Sequence, residues 1–147
     1  GTKFSVLGTA GFNTTFPSVE SEGRLSVRYG KGAFSANAYY NYLGGYRNWS
    51  GTTAIPVVRV GGFPVSGGDP VDSFGTLDLN LSYRFQDLWF SRETQLFVDA
   101  TNVLDEDPPQ YNVFAIGGNN GVGVAGYDPV NASPLGRVIT VGIRAKF

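Results

Sequence analysis

The feature that most limits what this chain can fold into is a two-residue periodicity recurring in stretches of roughly ten residues. Between 74 and 85, Leu77, Leu79, Leu81, Tyr83 and Phe85 fall on one parity, and Thr76, Asp78, Asn80, Ser82 and Arg84 on the other. Successive side chains of a strand point to opposite faces, so the pattern predicts strands with one apolar and one polar face. The last segment repeats it, with Ile139, Val141, Ile143, Ala145 and Phe147 set against Thr140, Gly142, Arg144 and Lys146. Residues 3–12, 24–29, 33–43 and 93–103 alternate as well, with Leu7 and Phe97 as exceptions, which makes six expected strands. Most of them approach the roughly 9 to 11 residues that a tilted strand needs to cross a hydrocarbon layer, against about 5 to 6 in soluble proteins. Each parity is assigned from its apolar residues, so only the pairing register can test it.

Composition points the same way. Charged residues are 16% of the 147 and aromatics 14%, with 21 glycines, whereas typical soluble domains carry roughly 25% charged residues. A net charge of −1 without a basic block gives no electrostatic footing for nucleic acid. The chain has no histidine and no cysteine, which removes the commonest general base, the commonest transition-metal ligand and all thiolate chemistry. No run approaches the roughly 18 apolar residues of a spanning helix, so any membrane crossing would use strands. If the protein is exported, its processing signal lies upstream of Gly1.

The connections alternate in size. Gly30-Lys31-Gly32 is a tight turn and 86–92 a modest one, while 13–23, 49–72 and 104–135 are long. Short turns on one side and long loops on the other is the layout of an outer-membrane barrel. Tyr29, Phe34, Tyr83, Phe85, Trp89, Phe90 and Phe147 all fall at short-turn ends, where an interfacial aromatic girdle belongs. Arg137, on the apolar parity, sits at a strand start, where an interface tolerates it.

Two runs carry a resemblance. Residues 97–109, Phe-Val-Asp-Ala-Thr-Asn-Val-Leu-Asp-Glu-Asp-Pro-Pro, are similar to the penultimate strand of TonB-dependent outer-membrane receptors. Tyr127-Asp128-Pro129 with 136–147, Gly-Arg-Val-Ile-Thr-Val-Gly-Ile-Arg-Ala-Lys-Phe, resembles that family's last strand. Residues 32–46 resemble an earlier strand pair. The resemblance implies that 1–147 is a C-terminal segment, about six strands, of an antiparallel transmembrane barrel of about 22 strands. It also implies a plug and a TonB-contacting box, neither of which is visible here. The function implied is that of an outer-membrane receptor of a Gram-negative bacterium, for TonB-energised uptake of a siderophore–metal chelate, a cobalamin-like compound or an oligosaccharide. Its expected partners are outer-membrane lipid, the remainder of its barrel and plug, TonB and the barrel assembly machinery, with no cofactor and no enzyme activity. Phe147, Ile143 and Val141 resemble the C-terminal signal read by that machinery.

Tyr46, Arg47, Trp49, Tyr111 and Asp128, in the long connections, are candidates to contact a ligand. Other motifs have plainer readings. Gly121, Gly123 and Gly126 match a dinucleotide fingerprint but lack the helix that would have to come next to hold a pyrophosphate. Asp105, Glu106 and Asp107 lack the spacing of a calcium loop and read as a loop start. Asn13, Asn48, Asn80 and Asn131 begin chance sequons. Asp78 and Asp99 read as charges of a polar interior rather than an acid/base pair. The rival fold is a soluble β-sandwich with a structural or adhesive role, and a small complete pore is a third alternative.

Overall fold

A computed structural model describes residues 9–10, 19–49, 53–88, 91–111, 126–128 and 131–147. Among them the chain is all-β: ten strands in three sheets, and no helix. In chain order they are β1 (Thr9–Ala10), β2 (Glu22–Lys31), β3 (Phe34–Leu43), β4 (Tyr46–Asn48), β5 (Val58–Val60), β6 (Phe63–Ser66), β7 (Asp69–Val71), β8 (Phe74–Leu88), β9 (Ser91–Thr101) and β10 (Val138–Lys146). The chain divides into two compact units.

The first unit comprises Gly23–Asn41, Gly75–Glu106 and Leu135–Phe147. Its framework is a five-stranded sheet in the order β10-β9-β8-β3-β2, in which β8 pairs antiparallel with β9 and β9 with β10. The register tests the parities directly. Leu81 faces Val98, which faces Val141, and Tyr83, Leu96 and Ile143 form the next apolar row. In between, Asn80, Asp99 and Thr140 form one polar row, and Arg84, Gln95 and Arg144 another. Because a one-residue slip would move every side chain to the other face, this agreement across three strands supports the alternation as read.

On the apolar face, large side chains stand exposed across the sheet, among them Leu25, Val27, Tyr40, Tyr83, Leu96, Val141 (73%) and Ile143 (69%). The polar face is tied together by hydrogen bonds. Arg28 Nε donates to Asn37 Oδ1 at 2.9 Å, Asn37 Nδ2 to Asn80 Oδ1 at 3.0 Å, and Asn80 Nδ2 to Asp99 Oδ1, a chain running across four strands. Ser35 and Ser82 share a hydrogen bond of 2.7 Å beside it. Phe97, the exception on this face, lies opposite Gly142, and a Cβ at 142 would overlap its ring. The ring covers a glycine that has no side chain of its own, the pairing known as aromatic rescue.

Several boundaries differ from expectation. β9 stops at Thr101 rather than at 103, because Asn102 takes a left-handed φ of 50° that no strand continues through. β8 runs on to Leu88. The expected strand at 3–12 does not join the five-stranded sheet as described: Thr9–Ala10 pairs parallel with β4, and residues 3–8 and 11–12 lie outside the described residues. Alternation specifies that a segment is a strand, not which edge it joins. Among the described residues the sheet therefore holds five strands and is open, with β2 and β10 as its edges.

The second unit comprises Gly1–Glu22, Tyr42–Phe74 and Asp107–Pro134. The connection at 49–72, expected to be a long loop, contains β5, β6 and β7. β4 lies between β1 and β7, and β5 and β6 form a hairpin whose turn residues, Gly61 and Gly62, both have positive φ, as a type I′ turn demands. A small core of Tyr46, Val71 and Tyr111, with Val19 against it, holds this unit.

Candidate functional site

All five candidate ligand residues lie in the second unit, and four of them are buried there. Tyr46 lies on β4 and its ring sits 6.0 Å from that of Tyr111, inclined by 53°. Its hydroxyl donates to Asp128 Oδ2 at 2.6 Å, and the same oxygen accepts from Asn131 Nδ2 at 2.7 Å. The Asp128 carbonyl accepts from Ala132 N at 3.0 Å, and Tyr111 N donates to the Gly126 carbonyl at 2.9 Å. Tyr46, Tyr111 and Asp128 are all buried. Burial first, and then the carboxylate beside it, raises the Tyr46 phenol far above its usual value near 10, so it remains a donor.

Trp49 is also buried, its indole N–H donating to the Gly67 carbonyl at 3.0 Å. Gly67 and Gly68 have φ of 80° and 79°. A side chain on either would strike its surroundings, Pro56 at the first and Asn48 and Trp49 at the second. Arg47 is the exposed member of the five, with one guanidinium nitrogen 3.3 Å from the Gly68 carbonyl. The structure thus places Tyr46, Trp49, Tyr111 and Asp128 in the packing of the unit and leaves Arg47 at its surface.

In the sheet unit, Asp78 and Asp99 are engaged by amides. Asp78 accepts from Asn41 Nδ2 at 2.9 Å and from the Asn102 N–H at 3.0 Å, while Asp99 accepts from Asn80. Asn102, almost fully buried, exchanges two hydrogen bonds with the Glu106 backbone through its side-chain amide, at 2.9 and 3.0 Å. Asp105 takes the Arg137 N–H at 2.6 Å, and the Arg137 guanidinium lies 3.8 Å from its other oxygen and 3.3 Å from the Val103 carbonyl. The two runs that carry the family resemblance therefore touch each other, 102–106 forming a knot to which 136–137 is clipped. The acidic run is indeed a loop start, and Arg137 precedes its strand.

Among the described residues no group of three or more His, Cys, Asp or Glu is arranged to hold a metal ion. Of the three residues that resemble an assembly signal, Val141 and Ile143 lie on the exposed face of β10, and Phe147 is 85% exposed. Of the sequon asparagines, Asn48 is fully buried, while Asn80 and Asn131 bond within the fold; Asn13 lies outside the described residues, as do Gly121 and Gly123 of the dinucleotide-like motif and the girdle candidates Trp89 and Phe90.

Sequence reasoning does not single out Asn102, Asp69 or the side chain of Asn131 for these roles. Asn102 has a signal, an Asn closing a strand before a polar run, since Asn tolerates left-handed φ. Asp69 accepts the Ala54 and Ile55 N–H groups at 3.1 and 2.9 Å, a long-range closure that no local pattern announces. No protein-family profile, curated protein or solved structure matches this chain.

Proposed function

We propose that the five-stranded sheet is a sector of an outer-membrane β-barrel of the TonB-dependent receptor type, with its apolar face on lipid and its polar face toward the lumen. The chain would serve TonB-energised import of a scarce nutrient, a siderophore–metal chelate, a cobalamin-like compound or an oligosaccharide, without covalent chemistry. The observation that carries this reading is the contrast between the faces: exposed Leu, Val, Ile and Tyr side chains on one, a hydrogen-bonded ladder of amides, carboxylate and guanidinium on the other. In water, contiguous exposed apolar patches rarely exceed a few hundred Å², and each large side chain left exposed forgoes about 1.5–3 kcal/mol. Lipid removes that cost.

The soluble sandwich fares worse. Its second layer must cover strands of 9 to 15 residues, whereas among the described residues the strands of the other sheets have 2 to 4. In the barrel reading β2 and β10 pair with further strands of a longer parent, because unpaired backbone groups in hydrocarbon cost several kcal/mol each. The parent would supply the plug and the TonB contact.

Fractionation of cells making the full-length parent tests the reading. Recovery in the outer membrane, with heat-modifiable migration and nutrient uptake lost in a strain without TonB, is expected. Recovery as a soluble protein would sink it and favour the sandwich.

A further inference from the structure

Charge on the apolar parity of the five-stranded sheet is confined to its two ends. Among the described residues of its strands, the charged side chains of that parity are Lys31, Asp87 and Arg92, all at the short-turn end. Lys31 closes the row of Leu25, Val27 and Tyr29 on β2, and Arg92 opens the row of Leu96 and Val98 on β9; both are exposed. Asp87 has a left-handed φ of 52° and is passed over in the pairing of β8 with β9, so parity does not fix its direction. Among the described residues no carboxylate stands within ion-pair distance of Lys31 or Arg92. The opposite end differs. There Arg137, which shares the parity and precedes β10, is clipped to Asp105 through its N–H at 2.6 Å and its guanidinium at 3.8 Å.

Aromatic rings gather at the end that keeps its cations. Tyr29 lies 6.4 Å from Phe34, and Tyr83 lies 4.7 Å from Phe85, between ring centroids. Such rings settle at the level of lipid headgroups, and a long cationic side chain beside them lays its stem on apolar surface while its charge reaches the interface. A guanidinium there forks a phosphate, and an ammonium meets it as a point charge. A zwitterionic headgroup brings its own ammonium with the phosphate, whereas an anionic one leaves a charge for the protein to neutralise. Lys31 and Arg92 stand three strand spacings apart in the sheet, roughly 14 Å, so each meets a separate headgroup.

We infer that the short-turn rim of the apolar face binds anionic phospholipid headgroups through Lys31 and Arg92. The inference rests on the barrel reading and adds to it the chemistry of the lipid at one rim. Short turns of such barrels are periplasmic, so the lipid belongs to the inner leaflet of the outer membrane.

Native mass spectrometry of the purified full-length parent, offered equal amounts of phosphatidylglycerol and phosphatidylethanolamine, tests it. Preferential retention of phosphatidylglycerol is expected, and the preference should fall about five-fold for each of Lys31→Gln and Arg92→Gln. The pair Arg84→Gln and Arg144→Gln removes the same charge from the polar face and should leave it unchanged. Unchanged heat-modifiable migration verifies that each variant is folded. Equal retention of both lipids overturns the inference, as does a preference indifferent to Lys31 and Arg92 or lost equally with the polar-face pair. Displacement of the lipid by millimolar inorganic phosphate would assign the cations to a free anion and overturn it too. Cell fractionation reports on the barrel reading separately: a protein recovered in the outer membrane without lipid preference sinks this inference alone.

Discussion

Asn102 shows how much a single residue can organise. It combines a φ of 50° with burial and three hydrogen bonds, to Asp78 through its N–H and to the Glu106 backbone through its side chain. Asn102→Ala keeps the N–H but loses both side-chain bonds, at about 1 kcal/mol each, and puts in the left-handed region a residue that tolerates it less well than Asn, for up to about 1 kcal/mol more. A loss of about 2–3 kcal/mol is expected in urea unfolding of the parent in micelles, and Asn102→Gly should recover the backbone share alone. Tyr46 makes a second case. Its proton is held more tightly in the folded state than in the unfolded one, so the stability it contributes is complete below the usual tyrosine value and declines as pH rises above it. Tyr46→Phe should lower the stability of its unit by about 1.5–3 kcal/mol at neutral pH, since the lost bond is to a carboxylate. It should also flatten the decline above pH 10, as tracked by unfolding monitored through tryptophan fluorescence; an undiminished alkaline slope would assign that slope to another group.

Strands β8, β9 and β10 carry the membrane reading at the scale of elements. Leu81 is mid-strand in an apolar row with Val98 and Val141. In the proposed barrel Leu81→Arg would therefore place a charge against lipid, at about 2–4 kcal/mol near the midplane. The natural control is Thr140→Arg, which enters the polar face opposite Asp99. Asn80→Arg is a poorer control, because Asn80 bonds to both Asn37 and Asp99. Assembled protein should fall sharply for Leu81→Arg and hold for Thr140→Arg in a membrane-assembly assay. Equal losses would mean that the faces are assigned to the wrong media.

For the molecule as a whole, the open edge at β10 matters most. Among the described residues only β9 pairs with β10, so its outer edge offers a row of backbone donors and acceptors, and Phe147 is an exposed aromatic immediately beyond its end. In the proposed barrel that strand is where the assembly machinery engages, with the aromatic at the interface setting register. Deleting Phe147 from the full-length parent should reduce the amount in the outer membrane while leaving synthesis unchanged, as quantified by fractionation against pulse-labelled protein. Parental levels at high expression would count against the assembly role, since a frayed end in a soluble fold tolerates such loss.

The alternation by itself determined five long strands, their faces and the short turn between β2 and β3, because side-chain direction in a strand depends only on parity. It also marked Phe97 as an anomaly, though only its seat over Gly142 explains it. What alternation could not carry was pairing at a distance. The short strands of 46–71 lie below the length at which periodicity is readable; even Gly61-Gly62, a local hairpin signal, is lost inside a connection that reads as loop. Whether Tyr46, Trp49, Tyr111 and Asp128 stand in solvent or pack together was a tertiary matter, since each is polar enough for a loop and large enough for a core. The closure of Tyr46 on Asp128, 82 residues apart, and of Asp105 on Arg137, 32 apart, exists only once the chain is folded, because no periodicity links residues whose contact is made by the path of the backbone between them.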